Sequence, residues 1–144
     1  MKKLCVLFLS IVTLGLTVSS CSHDDDQDTT SIEGKWEITK IGVIIGGQET
    51  LADYVNQNNC TIPTIEYKTD GTFIDITSDY WDSQCSTYQE TGTWKKDGST
   101  LTLKYEDDDE KLEIMELTNS TLKVKMTYSE EGISVTTISV YKKK

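Results

Sequence analysis

The sequence contains no arginine: all 14 of its basic residues are lysine, against 24 acidic residues, for a formal net charge of −10. A surface of this sign repels the phosphate backbone of nucleic acids. The missing guanidinium group also removes the usual planar clamp for carboxylate and phosphate ligands. The composition therefore argues against a nucleic-acid partner.

Histidine is almost absent as well, since the single one is His23, close to the N-terminus. This excludes the usual Ser–His and Cys–His nucleophile pairs, and the chain has neither a glycine-rich phosphate loop nor a His/Cys cluster with metal-ligand spacing. We predict no catalytic residue, no metal site and no cofactor, and hence no enzyme. The remaining catalytic hypothesis is a hydrolase that uses paired carboxylates, with candidates Asp75, Asp79, Asp82 and Glu90.

The longest apolar run, residues 4–18, is shorter than the ~20 residues that span a bilayer. It follows Met1-Lys2-Lys3, a pattern typical of a secretory signal peptide, although a buried first helix or strand would also be apolar. The sequence Val18-Ser19-Ser20-Cys21 resembles a bacterial lipobox. This resemblance implies a signal peptide at residues 1–20 and acylation of Cys21, and several acyl chains would anchor the protein stably. Ordinary cleavage without lipidation is the alternative.

An acidic segment follows the cysteine, with four aspartates between residues 24 and 28. Like charges in such a run resist collapse, which predicts a flexible tether at residues 21–31. The segment also resembles the acidic export tag of surface lipoproteins in some anaerobic Gram-negative bacteria. This resemblance implies an outer-membrane protein that is anchored through its N-terminal lipid and whose globular domain faces the outside of the cell. Asp28-Thr29-Thr30 is similar to a short O-glycosylation motif of those bacteria, which makes Thr29 a candidate glycosylation site.

Four cysteines are present. Cys5 would leave with the signal peptide and Cys21 would carry the lipid, so Cys60 and Cys85 remain. An even pair in an oxidising compartment predicts a disulfide. Both cysteines also fall at the open end of a hairpin that turns at Asp70-Gly71. A two-cysteine metal site is the rival interpretation, although the mature domain has no histidine beyond the tether.

From Gly34 onward the chain has β-strand patterns separated by turns. Asp70-Gly71 and Asp97-Gly98 are strong hairpin signals, and residues 101–105 and 122–128 alternate apolar with polar side chains. In residues 36–43 the apolar positions change face, which predicts a bulge near Lys40. They change face again in residues 112–117, which predicts either a second bulge or a strand that is buried on both faces. The acidic run 107–110 is interpreted as a solvated turn. Apolar residues at helical spacing predict a short helix between the first two strands, with the positions Thr50, Leu51, Tyr54 and Val55.

These patterns predict about eight antiparallel strands, arranged as an up-and-down barrel or as a sandwich. Gly34-Lys35-Trp36 is similar to the Gly-x-Trp signature of lipocalins. The order of shorter pieces resembles the small lipocalin-like domain of bacterial lipoproteins, and these pieces are Cys60, 70–73, Cys85, 92–94, 101–103 and 117–122. The resemblance implies an all-β, eight-stranded antiparallel up-and-down lipocalin-like barrel at residues 32–144, and no shared enzymatic activity. Ligand-carrying lipocalins stack an arginine on the signature tryptophan, and a C-terminal lysine is the candidate substitute here, with weaker stacking.

The aromatic residues are the candidate ligand-binding groups. Those on strands would fill a small barrel or line a cavity for one ligand; they are Trp36, Tyr67, Phe73, Trp94, Tyr105 and Tyr128. Tyr80 and Trp81 lie in the long loop that precedes Cys85, where exposed aromatics mark a binding surface or form a lid. The functional hypothesis is a non-enzymatic, surface-anchored lipoprotein. It would bind a small apolar ligand in the barrel, or a glycan or protein at its open end. The alternative is a structural subunit of an outer-membrane complex, with a filled barrel and a protein partner.

Overall fold

A computed structural model describes residues 30–130 and 132–144. The predicted signal peptide, the lipidation site Cys21, the candidate glycosylation site Thr29 and most of the tether lie outside the described residues. Within the described ranges, no helix has the length and apolar character needed to cross a membrane.

The described chain is nearly all β-sheet. Its nine strands are β1 (Gly34–Ile45), β2 (Gln48–Asp53), β3 (Thr64–Tyr67), β4 (Thr72–Trp81), β5 (Gln84–Asp97), β6 (Thr100–Lys104), β7 (Asp109–Leu117), β8 (Thr121–Glu130) and β9 (Ile133–Lys143). From β3 to β9 each strand pairs with the next, β3 pairs with β1, and β9 returns to β1. These eight strands form a closed, antiparallel up-and-down barrel, which confirms the predicted fold class. The β1–β9 pairing closes the barrel, so most strand edges that would otherwise invite aggregation are paired.

The additional strand, β2, shows that the prediction of a short helix was wrong. Residues 48–53 pair with Lys40–Ile45 of β1, and the only helical turn between β2 and β3 is the 3₁₀ turn Gln57–Asn59. The tight turn at Gly46 and Gly47, both with positive φ, folds the segment back onto the free edge of β1. Pairing with β1 satisfies the backbone hydrogen bonds of this segment, and that tertiary contact outweighs the weak helical spacing.

Both predicted bulges are present. The β1–β9 register shifts between Ile38 and Lys40, which turns Ile41 toward the same side as Trp36. The β7–β8 register shifts between Ile114 and Glu116. Met115 is therefore left on the outside, 39% exposed, while Leu117 packs against the core.

The core fills one end of the barrel, which we call the closed half. Its buried members are Ile32, Trp36, Ile65, Tyr67, Phe73, Leu101, Leu103, Leu122 and Val124. Trp36 is fully buried and its Nε1 donates a hydrogen bond to the carbonyl oxygen of Ile32 at 2.6 Å. Because Ile32 precedes the first strand, this bond ties the incoming chain across the end of the barrel.

The signature tryptophan has a lysine partner. Lys143 Nζ lies 5.1 Å from the centroid of the Trp36 ring, which confirms the expectation that a C-terminal lysine stacks on this tryptophan. The glycine of the signature makes room for it, because a Cβ at Gly34 would lie 2.8 Å from Lys143 Cε. Gly34 also has a φ of +116°, a conformation that side chains other than glycine's rarely allow.

Candidate ligand-binding site

The other end, the open half, is the part of the barrel beyond Thr39 that leads to the turns at 46–47 and 82–83 and to the end of the β8–β9 hairpin. Its walls differ in height. The hairpins β1–β2, β4–β5 and β8–β9 rise beyond the core, but β6 has only 5 residues and pairs with the last part of β5, Thr93–Asp97. The β6–β7 hairpin is therefore a low section of the barrel wall.

A second gap lies beside β2. The short strand β3 covers only the first residues of β1, Gly34–Glu37, and no backbone pairing joins β2 to β4 among the described residues. The chain between Tyr54 and Pro63 spans this gap, with both ends held by backbone hydrogen bonds to β1. A cavity of about 990 Å³ opens here, and we call it the mouth cleft; its lining includes Ile41, Ala52, Tyr54, Val55, Asp79, Tyr80, Trp81, Ser86 and Tyr88.

The predicted disulfide holds the wall of the mouth cleft together. Cys60 and Cys85 are bonded, with their Cα atoms 5.5 Å apart, so the rival metal-site interpretation is wrong. The bond ties the connection before β3 to the hairpin β4–β5. Side chains on this hairpin add to the link, since Ser78 Oγ donates to the carbonyl oxygen of Thr61 and Thr87 Oγ1 donates to Thr61 Oγ1 at 3.3 Å.

The prediction that Tyr80 and Trp81 lie in a long loop was wrong, because both belong to β4 and pair with β5 across a two-residue turn. Both nevertheless lie on this cleft. Tyr80 is 37% exposed and Trp81 is 83% exposed, and both contribute to the lining. Tyr88, 52% exposed, joins them and was missed from the sequence. Trp81 pairs with Gln84, and alternation along β5 then places Ser86 and Tyr88 on the same face as Trp81. The pairing register of this hairpin could therefore have indicated Tyr88 as a lining residue.

The predicted strand aromatics divide between the two halves. Trp36 and Phe73 are fully buried and Tyr67 is 4% exposed; they fill the closed half. Trp94 packs against the same core and its Nε1 donates to the carbonyl oxygen of Lys68 at 3.0 Å. Tyr128, on β8 in the open half, is 45% exposed. A role in ligand binding stays a prediction for each of them.

A second cavity, of about 640 Å³, lies over the low β6–β7 section, and we call it the acidic basin. Its lining is Asp75, Thr77, Gln89, Glu90, Thr91, Tyr105, Glu106, Asp107, Asp108 and Glu110. Asp75 and Glu90 are direct partners across β4 and β5, so their side chains share a face. Tyr105 Oη donates a hydrogen bond to Asp75 Oδ2 at 3.3 Å, and the Tyr105 ring meets Phe73 edge to face, with centroids 4.9 Å apart.

Glu110 corrects the interpretation of residues 107–110 as a solvated turn. Asp109 and Glu110 belong to β7, and Glu110 pairs with the buried Leu103. Its side chain is therefore on the inner face and partly buried. The position two residues before the apolar Leu112 carried this information, because side chains two apart on a strand share a face.

Burial sets the electrostatics of the basin. Burial raises the pKa of the Asp75 carboxyl and the charge of Glu90 adds to the increase, while the hydrogen bond from Tyr105 opposes it. Burial likewise raises the pKa of Glu110, with further increases from Asp75, Asp108 and Glu90. Burial, followed by the charge of Asp75, raises the pKa of Tyr141 to about 12.

The basin does not have the geometry of a metal site. Among the described residues, no group of three or more His, Cys, Asp or Glu side chains is close enough to hold a metal ion. The carboxylates lie around a broad cavity rather than converging on one point.

The family model of the lipocalin-like domain matches residues 32–124. The chain belongs to the lipocalin-like family. Lipocalins generally bind small hydrophobic ligands and are typically non-enzymatic binding proteins. No curated protein sequence matches the chain.

Solved structures share the fold. The chain is similar to an uncharacterized protein from Bacteroides eggerthii, with a TM-score of 0.51, 13% sequence identity, and coverage of 79% of this chain and 100% of that one. It is also similar to bovine odorant binding protein in complex with its natural ligand. Here the TM-score is 0.50 and the identity 18%, with coverage of 83% of this chain and 75% of that one.

Proposed function

We propose that this protein is a non-enzymatic binding protein of the outer cell surface, held by a lipid on Cys21, whose mouth cleft takes a small, largely apolar ligand. The observation that carries the proposal is the distribution of exposed apolar side chains. Of the nine large hydrophobic residues exposed in the described ranges, all except Met115 lie in the open half. A soluble domain rarely exposes such a group of side chains without a binding function.

The cleft also has the properties of a small-molecule site. Its volume of about 990 Å³ lies at the upper end of the ~300–1,000 Å³ that is usual for such sites. Tyr80, Trp81 and Tyr88 offer ring faces, and the disulfide beside them limits the entropy that the wall would lose on binding. The filled closed half supports a ligand that sits at the opening and does not reach the end of the barrel.

The neutral fluorescent probe N-phenyl-1-naphthylamine tests the cleft. We expect the purified domain to enhance the fluorescence of the probe, and Trp81→Ala and Tyr88→Ala each to weaken its binding about tenfold. Met115→Ala is the matched control, because it removes an exposed apolar side chain outside the cleft. Binding that the cleft variants leave unchanged would reject this site. No binding at all would favour the alternative of a structural subunit with a filled barrel.

The anchor and the orientation need a separate measurement in cells. We expect a radioactive fatty acid to label the wild-type protein but not Cys21→Ala, and protease added to intact cells to digest the labelled protein. Labelled protein that is protected until the outer membrane is opened would place the domain inside the envelope. Wild-type protein without label would overturn the lipid anchor.

A further inference from the structure

We propose that an extended, basic peptide of another protein inserts as an additional strand between β2 and residues 77–81 of β4. We call this space the strand gap, and it lies in the barrel wall beside the mouth cleft. The peptide would carry apolar side chains at alternate positions. This inference goes beyond the small apolar ligand proposed above and does not require it, because the peptide is held by two backbone edges that such a ligand does not need.

The first edge of the strand gap belongs to β2. The backbone N–H of Tyr54 donates a hydrogen bond to the carbonyl oxygen of Thr39 at 2.8 Å, so the even-numbered residues of β2 direct their backbone groups toward β1. Hydrogen-bonding directions alternate along an antiparallel strand, and therefore Glu49, Leu51 and Asp53 direct theirs into the strand gap. β2 is the outermost strand of the described sheet, and these groups have no pairing partner within it.

The second edge belongs to β4. The backbone N–H of Lys68 donates to the carbonyl oxygen of Thr72 at 2.8 Å, so the even-numbered residues of β4 direct their backbone groups toward β3. Pairing with β3 reaches only as far as Ile76. The backbone groups of Ser78 and Tyr80 consequently face the strand gap with no strand beside them. Two free edges thus border the same space.

The connection between β2 and β3 does not fill this space. Ser78 and Thr87 are partners across β4 and β5, on the face opposite Asp75 and the barrel interior. Both side chains bond to Thr61. Cys85, which holds the connection through the disulfide, lies two residues from Thr87 on the same outer face. The middle of the connection therefore crosses outside the β4–β5 hairpin and leaves the two edges apart.

The side chains around the strand gap indicate the kind of peptide. Trp81 and Tyr88 are exposed and line the adjoining mouth cleft, so alternate side chains of an inserted strand would meet apolar surface. The lining also includes Asp53, Asp79 and Asp82 and contains no lysine. Of these three aspartates, only Asp53 takes part in a salt bridge with another described residue. A peptide with positive charge complements the remaining two.

The same charges argue against two other occupants. The chain has four aspartates between residues 24 and 28, and its formal net charge is −10. Its own N-terminal segment and a second copy of the protein would therefore both be repelled. A basic partner gains electrostatic attraction in addition to the main-chain hydrogen bonds, which provide the affinity when a strand is added to a sheet.

Calorimetry of the purified protein with a capped peptide, Lys-Val-Thr-Val-Thr-Val-Lys, tests the proposal. Neighbouring residues of an inserted strand bond to opposite edges, so N-methylation of the central valine or of an adjacent threonine should each weaken binding about tenfold. Replacing both lysines of the peptide by glutamate should weaken it by about the same factor. Equal affinity for the lysine and glutamate peptides would reject a basic partner. Sensitivity to one N-methyl group only, or to neither, would overturn insertion between two edges.

Leu51→Pro is the matching change in the protein. The N–H of Leu51 faces the strand gap, so proline removes a donor from the free edge and keeps the β1–β2 hydrogen bonds. We expect this variant to bind the peptide about tenfold more weakly. Leu51→Ala is the control, because it removes the side chain and keeps the N–H, and it should bind within about twofold of the wild type. Equal losses in both variants would overturn pairing at this edge.

Thermal melts show whether Leu51→Pro is folded, and the N-methylated peptides test the wild type if it is not. N-phenyl-1-naphthylamine separates this inference from the small-ligand site. Leu51 does not line the mouth cleft, so Leu51→Pro should keep its affinity for that probe. Wild-type protein that binds the probe but not the peptide would reject the peptide alone, and the reverse result would reject only the apolar ligand. Dimers in analytical ultracentrifugation that Leu51→Pro abolishes would assign the edge to a second copy and overturn the proposal.

Discussion

The closed and open halves of this barrel use the same strands in opposite ways. In the closed half, Trp36, Phe73, Leu101 and Leu122 are fully buried, and the chain entering at Ile32 covers the end. In the open half, the strands carry exposed aromatic rings and partly buried carboxylates around two cavities. One end of each strand therefore stabilises the fold, and the other end is available for binding.

This division explains how a small domain can carry groups that destabilise it. Charges and rings that face an open interior contribute little packing, and the buried carboxylates oppose folding. The tightly packed core at the other end, together with the disulfide, compensates for them. Such a balance between stability and function is common in binding proteins.

The largest expected effect on stability comes from comparing two variants, each of which replaces one tryptophan, one in the closed half and one in the open half, by alanine. Trp36→Ala should lower the free energy of unfolding by about 3–5 kcal/mol, because it removes a fully buried ring. Trp81→Ala should change it by less than about 0.5 kcal/mol, because the side chain is mostly exposed. Urea denaturation followed by circular dichroism measures both values. Similar losses in the two variants would contradict the division into halves.

The disulfide is expected to have the next largest effect. Cys60 and Cys85 are 25 residues apart, and a loop of that length gives a stabilisation of roughly 3 kcal/mol on the chain-entropy model. The double variant Cys60→Ser/Cys85→Ser should lose about this amount and bind the neutral probe more weakly, because the wall of the mouth cleft is no longer tied. Reductant should reproduce the loss in the wild type and leave the double variant unaffected. An unfolding midpoint that does not respond to reductant would refute this role.

A smaller effect, of opposite sign, is expected at Asp75. Its folded-state pKa lies above the unfolded value of about 3.9, so its contribution to stability is favourable only at low pH and is lost as the pH rises through the folded-state pKa. Asp75→Asn should therefore raise the melting temperature by a few degrees at pH 7. The gain should disappear near pH 3, where the wild-type carboxyl is protonated.

Thermal melts from pH 3 to pH 8 measure this difference, with Asp97→Asn as the exposed control. Asp75 shares the interior of the barrel with other titratable groups that interact electrostatically with it or with one another. These groups are Glu90, Glu110, Tyr67, Tyr105 and Tyr141. The tyrosines stay neutral over this range, because the ordinary pKa of tyrosine is about 10 and burial raises it further, so only the carboxyls contribute. Destabilisation by Asp75→Asn at pH 7 would show that the charge is compensated by a group within the protein.

The smallest effect is expected at the lysine above the signature tryptophan. Lys143→Met keeps an aliphatic cover over Trp36 but removes the cation, and should cost about 0.5–1 kcal/mol. Lys142→Met, at an exposed neighbouring position, should cost less. Chemical denaturation at matched pH compares the two variants, and equal values would remove the cation–π contact from the stability of the closed half.

Much of the fold could be predicted from local patterns. Leu101 and Leu103 alternate with polar residues and are buried, and Gly71 and Gly98 occupy the turns with positive φ. The bulges followed from apolar positions that change face. Each of these features depends on a few neighbouring residues, so the sequence contains the whole signal.

The candidate site was less predictable, because it depends on contacts between distant parts of the chain. Glu110 became an inner-face residue through pairing with Leu103, and Asp75 gained Tyr105 as a partner 30 residues away. The spacing to Leu112 indicates the face on which Glu110 lies, whereas nothing near Asp75 in the sequence indicates its contact with Tyr105. The segment 48–53 is a strand because β1 offered it a free edge.

The sequence by itself determined the strands other than β2, most of their turns and the pair of cysteines, because alternation, glycine turns and cysteine count are local or compositional properties. Only the tertiary structure decided which half is filled and which is open. The difference between the two halves depends on the unequal lengths of paired strands, such as β5 and β6. It also depends on the pairing register, which decides which charged side chains face the interior of the barrel. Register and burial arise from the whole closed sheet, and no single segment contains them.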